Sequence, residues 1–222
     1  SAAIILGAAS LISRVIGILR DRVFAHYFGA GETLDAYYAA FRIPDFIYQL
    51  LIIGALSAGF IPVFTSLKEK KLKDAWLVTN TLINLLTIGL LILCGICFLF
   101  APKLIALLVP GFSGETMEKT VLLTRIMLLS PMLHGMSTVV GGVIQSFRHM
   151  FLYALAPILY NLAIIGGAIF LVPIFGIAGL GIGVVVGALL HLLIQLPPLF
   201  RHGHRTAWLC RRRGRCGCQS PS

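Results

Sequence analysis

Long apolar stretches, separated by short polar segments, dominate the first 200 residues of the chain. A membrane-crossing helix needs roughly 20 mainly apolar residues, and these stretches are long enough for helices rather than barrel strands. The pattern predicts an all-α integral membrane protein with six transmembrane helices. The predicted spans are residues 2–27, 33–66, 75–101, 119–147, 150–172 and 174–200. The second is too long for one straight crossing, so we expect it to tilt or to kink at Pro44.

The polar segments between the spans differ in charge, and this difference predicts the orientation. Lys68–Lys73 contains four lysines, Arg148 follows the fourth span, and Arg201 and Arg205 follow the sixth. Almost no basic residues occur in the alternate segments, which are residues 29–33, 110–115 and the turn at Pro173. Since short cytoplasmic loops are enriched in Lys and Arg, the pattern predicts a cytoplasmic N-terminus and agrees with six crossings.

The composition excludes most other classes of protein. Hydrophobic residues make up 58% of the 222 residues, charged residues make up 12%, and the mean hydropathy is +0.95. Soluble globular proteins carry about 25% charged residues, and disordered chains combine low hydrophobicity with high charge. A soluble enzyme, a disordered chain and a collagen-like chain are therefore all poor fits.

The formal net charge of +10 is unevenly distributed. All eight acidic residues and 12 of the 18 basic residues precede residue 201. We therefore divide the chain into a six-helix transmembrane domain, 1–200, and a basic tail, 201–222, rich in Arg, Cys and Gly. The tail is either a solvated, disordered cytoplasmic segment or the out-of-frame end of a coding sequence. Because much of the positive charge lies in this tail, the net charge does not indicate nucleic acid as a partner of the membrane domain.

No motif for catalysis, cofactor or metal binding is evident in the sequence. A phosphate-binding Gly-x-x-x-x-Gly-Lys-Ser/Thr loop and a His-Glu-x-x-His metal motif are both absent. Cys210, Cys216 and Cys218 lack the Cys-x-x-Cys spacing of a zinc site. We therefore predict a protein that is not an enzyme and needs no cofactor or metal.

Charged residues inside the first two spans are the strongest candidates for a functional site. Arg14 and Asp21 are seven residues apart, as are Asp35 and Arg42, and Arg20 precedes Asp21 directly. A separation of seven residues places two side chains on one helix face. A charge facing lipid costs about 2.5–3.5 kcal/mol on insertion scales, so these side chains either line a wet cavity or reach the membrane surface. Arginines in a cavity would favour a phosphate or carboxylate ligand.

Glycines and isolated polar residues in the later spans predict helix packing. Gly179, Gly183 and Gly187 recur every four residues, followed at the same spacing by His191 and Gln195. A stripe of small residues most often brings two membrane helices close together. We interpret the isolated polar residues in the same way, as hydrogen-bond partners between helices. These residues are His134, Gln145, Asn161 and Arg125.

Several motifs resemble those of the MurJ/MviN family of lipid II flippases, in the superfamily of multidrug, oligosaccharidyl-lipid and polysaccharide exporters. The motifs are Ser13–Asp21, Phe28–Tyr37, Ala40–Pro44 and Gly54–Phe64, and weaker matches extend to about residue 200. The resemblance implies two six-helix lobes, of which this chain is the N-terminal one, rocking about a central cavity. It implies a bacterial inner-membrane protein that moves lipid II, an undecaprenyl-pyrophosphate-linked peptidoglycan precursor, from the inner to the outer leaflet by alternating access.

The same resemblance implies a set of substrate-binding residues. By motif position these are Arg14, Arg20, Asp21, Asp35 and Arg42. The chain departs from the family at Tyr48 and Gln49, where many relatives have basic residues. It also departs at Ile53, a position that is acidic in the family.

Three functions remain open at this point. The chain could move lipid II with its missing C-terminal lobe or a second copy, it could export other lipid-linked glycans, or it could be an inactive lobe.

Overall fold

The computed structural model describes residues 2–29, 31–51, 59–147 and 150–201, and these residues are almost entirely helical. The α-helices are α1 (Ala2–Phe28), α2 (Glu32–Leu51), α3 (Phe60–Lys70), α4 (Leu72–Leu108), α5 (Gly114–Met127), α6 (Leu129–Ser146), α7 (Met150–Gly166), α8 (Val172–Phe175), α9 (Ala178–Leu193) and α10 (Leu196–Arg201). A π-helical segment, Gly167–Leu171, joins α7 to α8. The predicted all-α fold is confirmed.

The predicted count of six transmembrane helices is not confirmed. Four helical stretches among the described residues are long and apolar enough to cross a membrane: Leu72–Leu108, Gly114–Ser146, Met150–Phe175 and Ala178–Leu199. These correspond to the third to sixth predicted spans. The charged residues of α1 and α2 lower the hydropathy of both helices. The second predicted span comprises α2 and α3, and residues 52–58 between them lie outside the described residues, as do Arg148 and the tail from residue 202.

Prolines and local hydrogen bonds explain where two of the spans depart from regular helix. Pro131, near the start of α6, cannot donate a backbone hydrogen bond to the Met127 carbonyl. The Ser130 hydroxyl donates to that carbonyl instead, at 2.8 Å, and α5 passes into α6 at Leu128. Pro173 likewise follows the π-helical segment. Both spans therefore continue across their prolines with a local change of helix geometry.

Two apolar clusters hold the helices together. One joins α3, α4 and α6 through Phe60, Phe64, Trp76 and Val143. The other joins α1, α2, α5, α7 and α9, and it includes Phe24, Tyr37, Met127, Ile164 and Leu180. Large apolar side chains also project outwards along α4, among them Leu85, Leu99 and Leu107 at 67%, 73% and 83% exposure. Such an outward apolar surface suits lipid rather than water.

The glycine stripe of α9 packs directly against α7 and the π-helical segment that follows α7. A Cβ atom on Gly183 would lie 3.0 Å from the Cα of Gly167, and one on Gly179 would lie 2.5 Å from the Leu171 carbonyl carbon. The third glycine, Gly187, packs against Tyr160 in the same manner. The predicted close packing is confirmed, and it positions His191 and Gln195 at the end of the same stripe.

Candidate binding cavity

Three adjoining cavities lie among α1, α2, α3, α6, α7 and α9, and they share lining residues. The charged compartment, of about 300 Å³, is lined by Arg20, Tyr37, Tyr38, Phe41, Arg42 and Asp45. The middle compartment, of about 260 Å³, shares Arg20, Phe41 and Asp45 with it and adds residues that include Tyr48, His134, Tyr160 and His191. The neutral compartment, of about 320 Å³, shares Tyr48, Pro157 and His191 with the middle one and reaches Ser137, Thr138, Gln145 and Tyr153. Together they form one cavity with a gradient of charge.

Arg20 is held in the cavity wall by partners on two helices. Its Nη2 and Nε donate to Asp21 Oδ1 at 2.9 and 3.1 Å, and its Nη1 donates to Asn161 Oδ1 at 3.2 Å. The Asn161 amide nitrogen in turn donates to Ser13 Oγ at 3.3 Å and to the Pro157 carbonyl at 3.1 Å. Asn161 of α7 therefore links two residues of α1, as its predicted role between helices requires.

Arg42 lies about one helical turn from Asp45 on α2. It lines the charged compartment together with Asp45, and the Asp45 carboxylate accepts a hydrogen bond from Gln49 Nε2 at 2.7 Å. No carboxylate forms an ion pair with Arg42 in the part of the chain that the structure describes. Its guanidinium is therefore available to a ligand, and its planar set of donors suits phosphate or carboxylate.

The five residues predicted to bind substrate fall into two groups. Arg20 and Arg42 line the charged compartment, and Asp21 is the ion-pair partner of Arg20. Arg14 and Asp35 are exposed and line none of the three compartments. The face of α1 that packs inwards carries Ser13, Arg20 and Phe24, so Arg14, one residue along, is turned away from it.

A polar network between α6 and α9 was recognised only in part from the sequence. Ser137 Oγ lies 2.7 Å from His191 Nδ1, and Gln195 Nε2 lies 3.5 Å from the same atom. The ring of His134 contacts those of Tyr160 and His191, with centroid distances of 4.8 and 5.0 Å. His134 therefore contacts other helices through its ring, whereas the predicted hydrogen bond between helices is absent at its Nδ1 among the described residues. The sequence signal for the network was the four-residue spacing that ends at His191 and Gln195.

Arg125 and Gln145, the other two polar residues predicted to bond between helices, lie outside this network. Arg125 Nε donates to the Phe98 carbonyl of α4 at 3.4 Å, and its guanidinium lies 5.2 Å from the Phe98 ring centroid, which confirms a contact between helices. The Gln145 side chain makes no hydrogen bond with the other described residues, so its predicted hydrogen bond between helices is absent there, and it lines the neutral compartment. The described residues include no group of three or more His, Cys, Asp or Glu side chains placed to hold a metal ion.

The fold and the lining residues define an all-helical membrane protein with an internal cavity that is partly lined by cationic side chains. Comparison with known proteins then identifies the family. The family described as "Lipid II flippase MurJ" matches residues 24–216, a range that runs past residue 200. The chain belongs to this family.

Individual relatives agree with this assignment. The chain is 32% identical over 198 residues to the lipid II flippase MurJ of Burkholderia cenocepacia, covering 86% of this chain and 38% of the relative. It is 29% identical to that of Thermosipho africanus, covering 90% and 41%. A solved structure of lipid II flippase MurJ, in an inward closed conformation, matches with a TM-score of 0.74 and 27% identity over 94% of this chain and 45% of that one. The chain thus spans well under half the length of these relatives.

Proposed function

We propose that this chain acts as the N-terminal lobe of a lipid II flippase in the bacterial inner membrane. The observation that carries the proposal is the placement of Arg20 and Arg42 on one cavity among the helices. The names of the relatives and the family match support the same substrate.

The chemistry of the cavity suits the part of lipid II that cannot cross a bilayer unaided. Moving an unpaired charge into hydrocarbon is costly, and a pyrophosphate carries two or more. Arg20 and Arg42 would replace its water with fixed guanidinium donors, while Asp21 keeps Arg20 neutralised when no ligand is bound. The polyprenyl tail would remain in the bilayer.

The proposal includes the organisation of the whole transporter. Six crossings with a cytoplasmic N-terminus place the lysines of Lys68–Lys73 on the cytoplasmic side. Because transport by alternating access needs two walls around the cavity, this lobe would work with a second lobe or a second copy of itself. In such an assembly the exposed Arg14 and Asp35 would face the opposite wall and complete the set of charges.

Binding of lipid II to the chain in phospholipid nanodiscs tests the proposal directly. We expect Arg42→Gln to weaken binding about tenfold or more, the value of a charge-assisted hydrogen bond or two. Arg22→Gln is the matched control, since Arg22 is an exposed arginine of α1 that lines no compartment. Absence of lipid II binding, or equal losses in both variants, would contradict the proposal.

Transport is then measured with labelled lipid II in vesicles. Movement by the chain alone would indicate that two copies provide both walls. Binding without movement would indicate that a second lobe is required. Equal binding of a pyrophosphate-linked glycan unrelated to peptidoglycan would favour the broader function of an exporter of lipid-linked glycans.

A further inference from the structure

The neutral compartment differs in chemistry from the rest of the cavity. No Asp, Glu, Lys or Arg occurs among the described residues that line it. Its polar atoms belong to hydroxyls, an amide and an imidazole, and it also presents the rings of Tyr48, Tyr153 and Phe60. A site with uncharged hydrogen-bonding groups between aromatic rings favours a neutral ligand that carries its own hydroxyl or amide groups.

Several of these polar groups retain hydrogen-bonding capacity. Gln145 is half-buried and its side-chain amide has no hydrogen-bond partner among the described residues, so the two N–H donors and the oxygen of that amide are available. His191 uses Nδ1 towards Ser137, and no described residue bonds to its Nε2. Further along the cavity, the buried Tyr37 hydroxyl and His134 Nδ1 are without partners in the described part of the chain. Buried polar atoms are normally paired, so unpaired ones along a cavity indicate a polar ligand.

The two ends of the cavity are a short distance apart along α2. Arg42, Asp45 and Tyr48 follow one another at three-residue intervals and reach, in turn, the charged, middle and neutral compartments. At 1.5 Å per residue, Arg42 and Tyr48 are separated by about 9 Å along the helix axis. A ligand that fills both ends therefore has an anionic group and a neutral polar group in direct succession.

We infer that the neutral compartment binds an N-acetylated sugar attached to the pyrophosphate, while the charged compartment binds the pyrophosphate itself. The inference rests on the proposed function and adds to it a second, uncharged recognition site. An N-acetylated sugar has the required hydroxyl and amide groups on a ring that can lie against tyrosine. The peptide of lipid II carries charges, which a compartment without charged side chains would disfavour.

Two synthetic probes separate the two sites. One is undecaprenyl pyrophosphate, which has no sugar, and the other is undecaprenyl-pyrophosphoryl-N-acetylglucosamine, which has no peptide. We expect the unaltered chain in nanodiscs to bind the sugar-bearing probe about tenfold more tightly, as one or two additional hydrogen bonds would produce. Gln145→Leu and Thr138→Val should reduce this preference to about twofold and leave the affinity for undecaprenyl pyrophosphate unchanged.

The controls distinguish failure of this inference from failure of the proposed function. Arg42→Gln should weaken binding of both probes by the same factor. Thr81→Val should change neither, since Thr81, like Thr138, bonds to its own helix but lies outside the cavity on α4. If both probes bind equally to the unaltered chain, or if Gln145→Leu and Thr138→Val leave the preference intact, the sugar site is wrong while the pyrophosphate site stands. If neither probe binds, both proposals fail.

Discussion

Arg20 shows how a charged side chain is accommodated among apolar helices. Asp21 and Asn161 both bond to its guanidinium, and its side chain is 21% exposed. A charge in apolar surroundings persists when it is paired and faces a cavity, and Arg20 satisfies both conditions. Arg14 and Arg22 of the same helix are exposed and have no ion-pair partners among the described residues.

Asn161 is the residue whose substitution should affect this arrangement most. Asn161→Leu removes its hydrogen bonds to Arg20 and Ser13, and we expect the free energy of unfolding in detergent to fall by about 1 kcal/mol, near the usual value for a hydrogen bond between membrane helices. Asn84→Leu is the control, because Asn84 is exposed on α4. Equal stability of the two variants would show that the Asn161 hydrogen bonds contribute nothing.

At the scale of the helix, the pairing of α7 with α9 depends on the absence of side chains. The backbones meet where Gly167 faces Gly183, and Gly179 lies against the π-helical segment. At this contact a π-helical segment precedes Pro173, and Gly179 of α9 lies opposite that segment. Close approach of this kind maximises van der Waals contact, the main source of stability between helices in lipid.

Replacing a glycine of this contact with alanine should therefore lower the free energy of unfolding, whereas the same replacement at an open position should not. Gly179→Ala places a Cβ 2.5 Å from backbone atoms and should lower the free energy of unfolding by about 1–3 kcal/mol. Gly95→Ala on α4 meets no atom within 4 Å and should raise it by up to about 1 kcal/mol, because alanine favours helix. Unfolding of both variants in a denaturing detergent series measures the difference. Similar effects would mean that α9 can shift away without cost.

At the scale of the whole molecule, the cavity unites residues that are far apart in sequence. Its walls come from α1, α2, α3, α6, α7 and α9, so no single predicted span contains the cavity. One face of α1 packs on α7, while Leu11, Val15 and Ile18 project outwards at 65%, 50% and 61% exposure. That outer face, which also carries Arg14, would meet the second lobe or copy in the proposed transporter.

The proposed orientation can be tested on the native lysines. A membrane-impermeant amine reagent applied to spheroplasts should label Lys103 and Lys119, which flank the α4–α5 connection, because the proposal places them outside. It should reach Lys70, Lys71 and Lys73 only after the membrane is opened, and all three are exposed for reaction then. Peptide mass spectrometry identifies the labelled sites. The reverse pattern would place the N-terminus outside.

The membrane class, the helical fold and the packing role of the α9 glycines could all be predicted from the sequence. These properties depend on local quantities: the length of an apolar run, the hydropathy of its residues and their spacing along one helix. The family motifs are local in the same sense.

The spacing of residues within a helix does not predict which face another helix will cover. The covered face determined which charged residues line the cavity. Packing of α1 on α7 turned Arg20 towards Asn161, 141 residues away, and left Arg14 exposed. Packing among α2, α6 and α9 brought Tyr48, Gln145 and His191 to the neutral compartment. The sequence by itself determined that charged residues occur within the largely apolar helices α1 and α2. Only the tertiary structure decided which of them share a cavity, because that depends on contacts between distant segments.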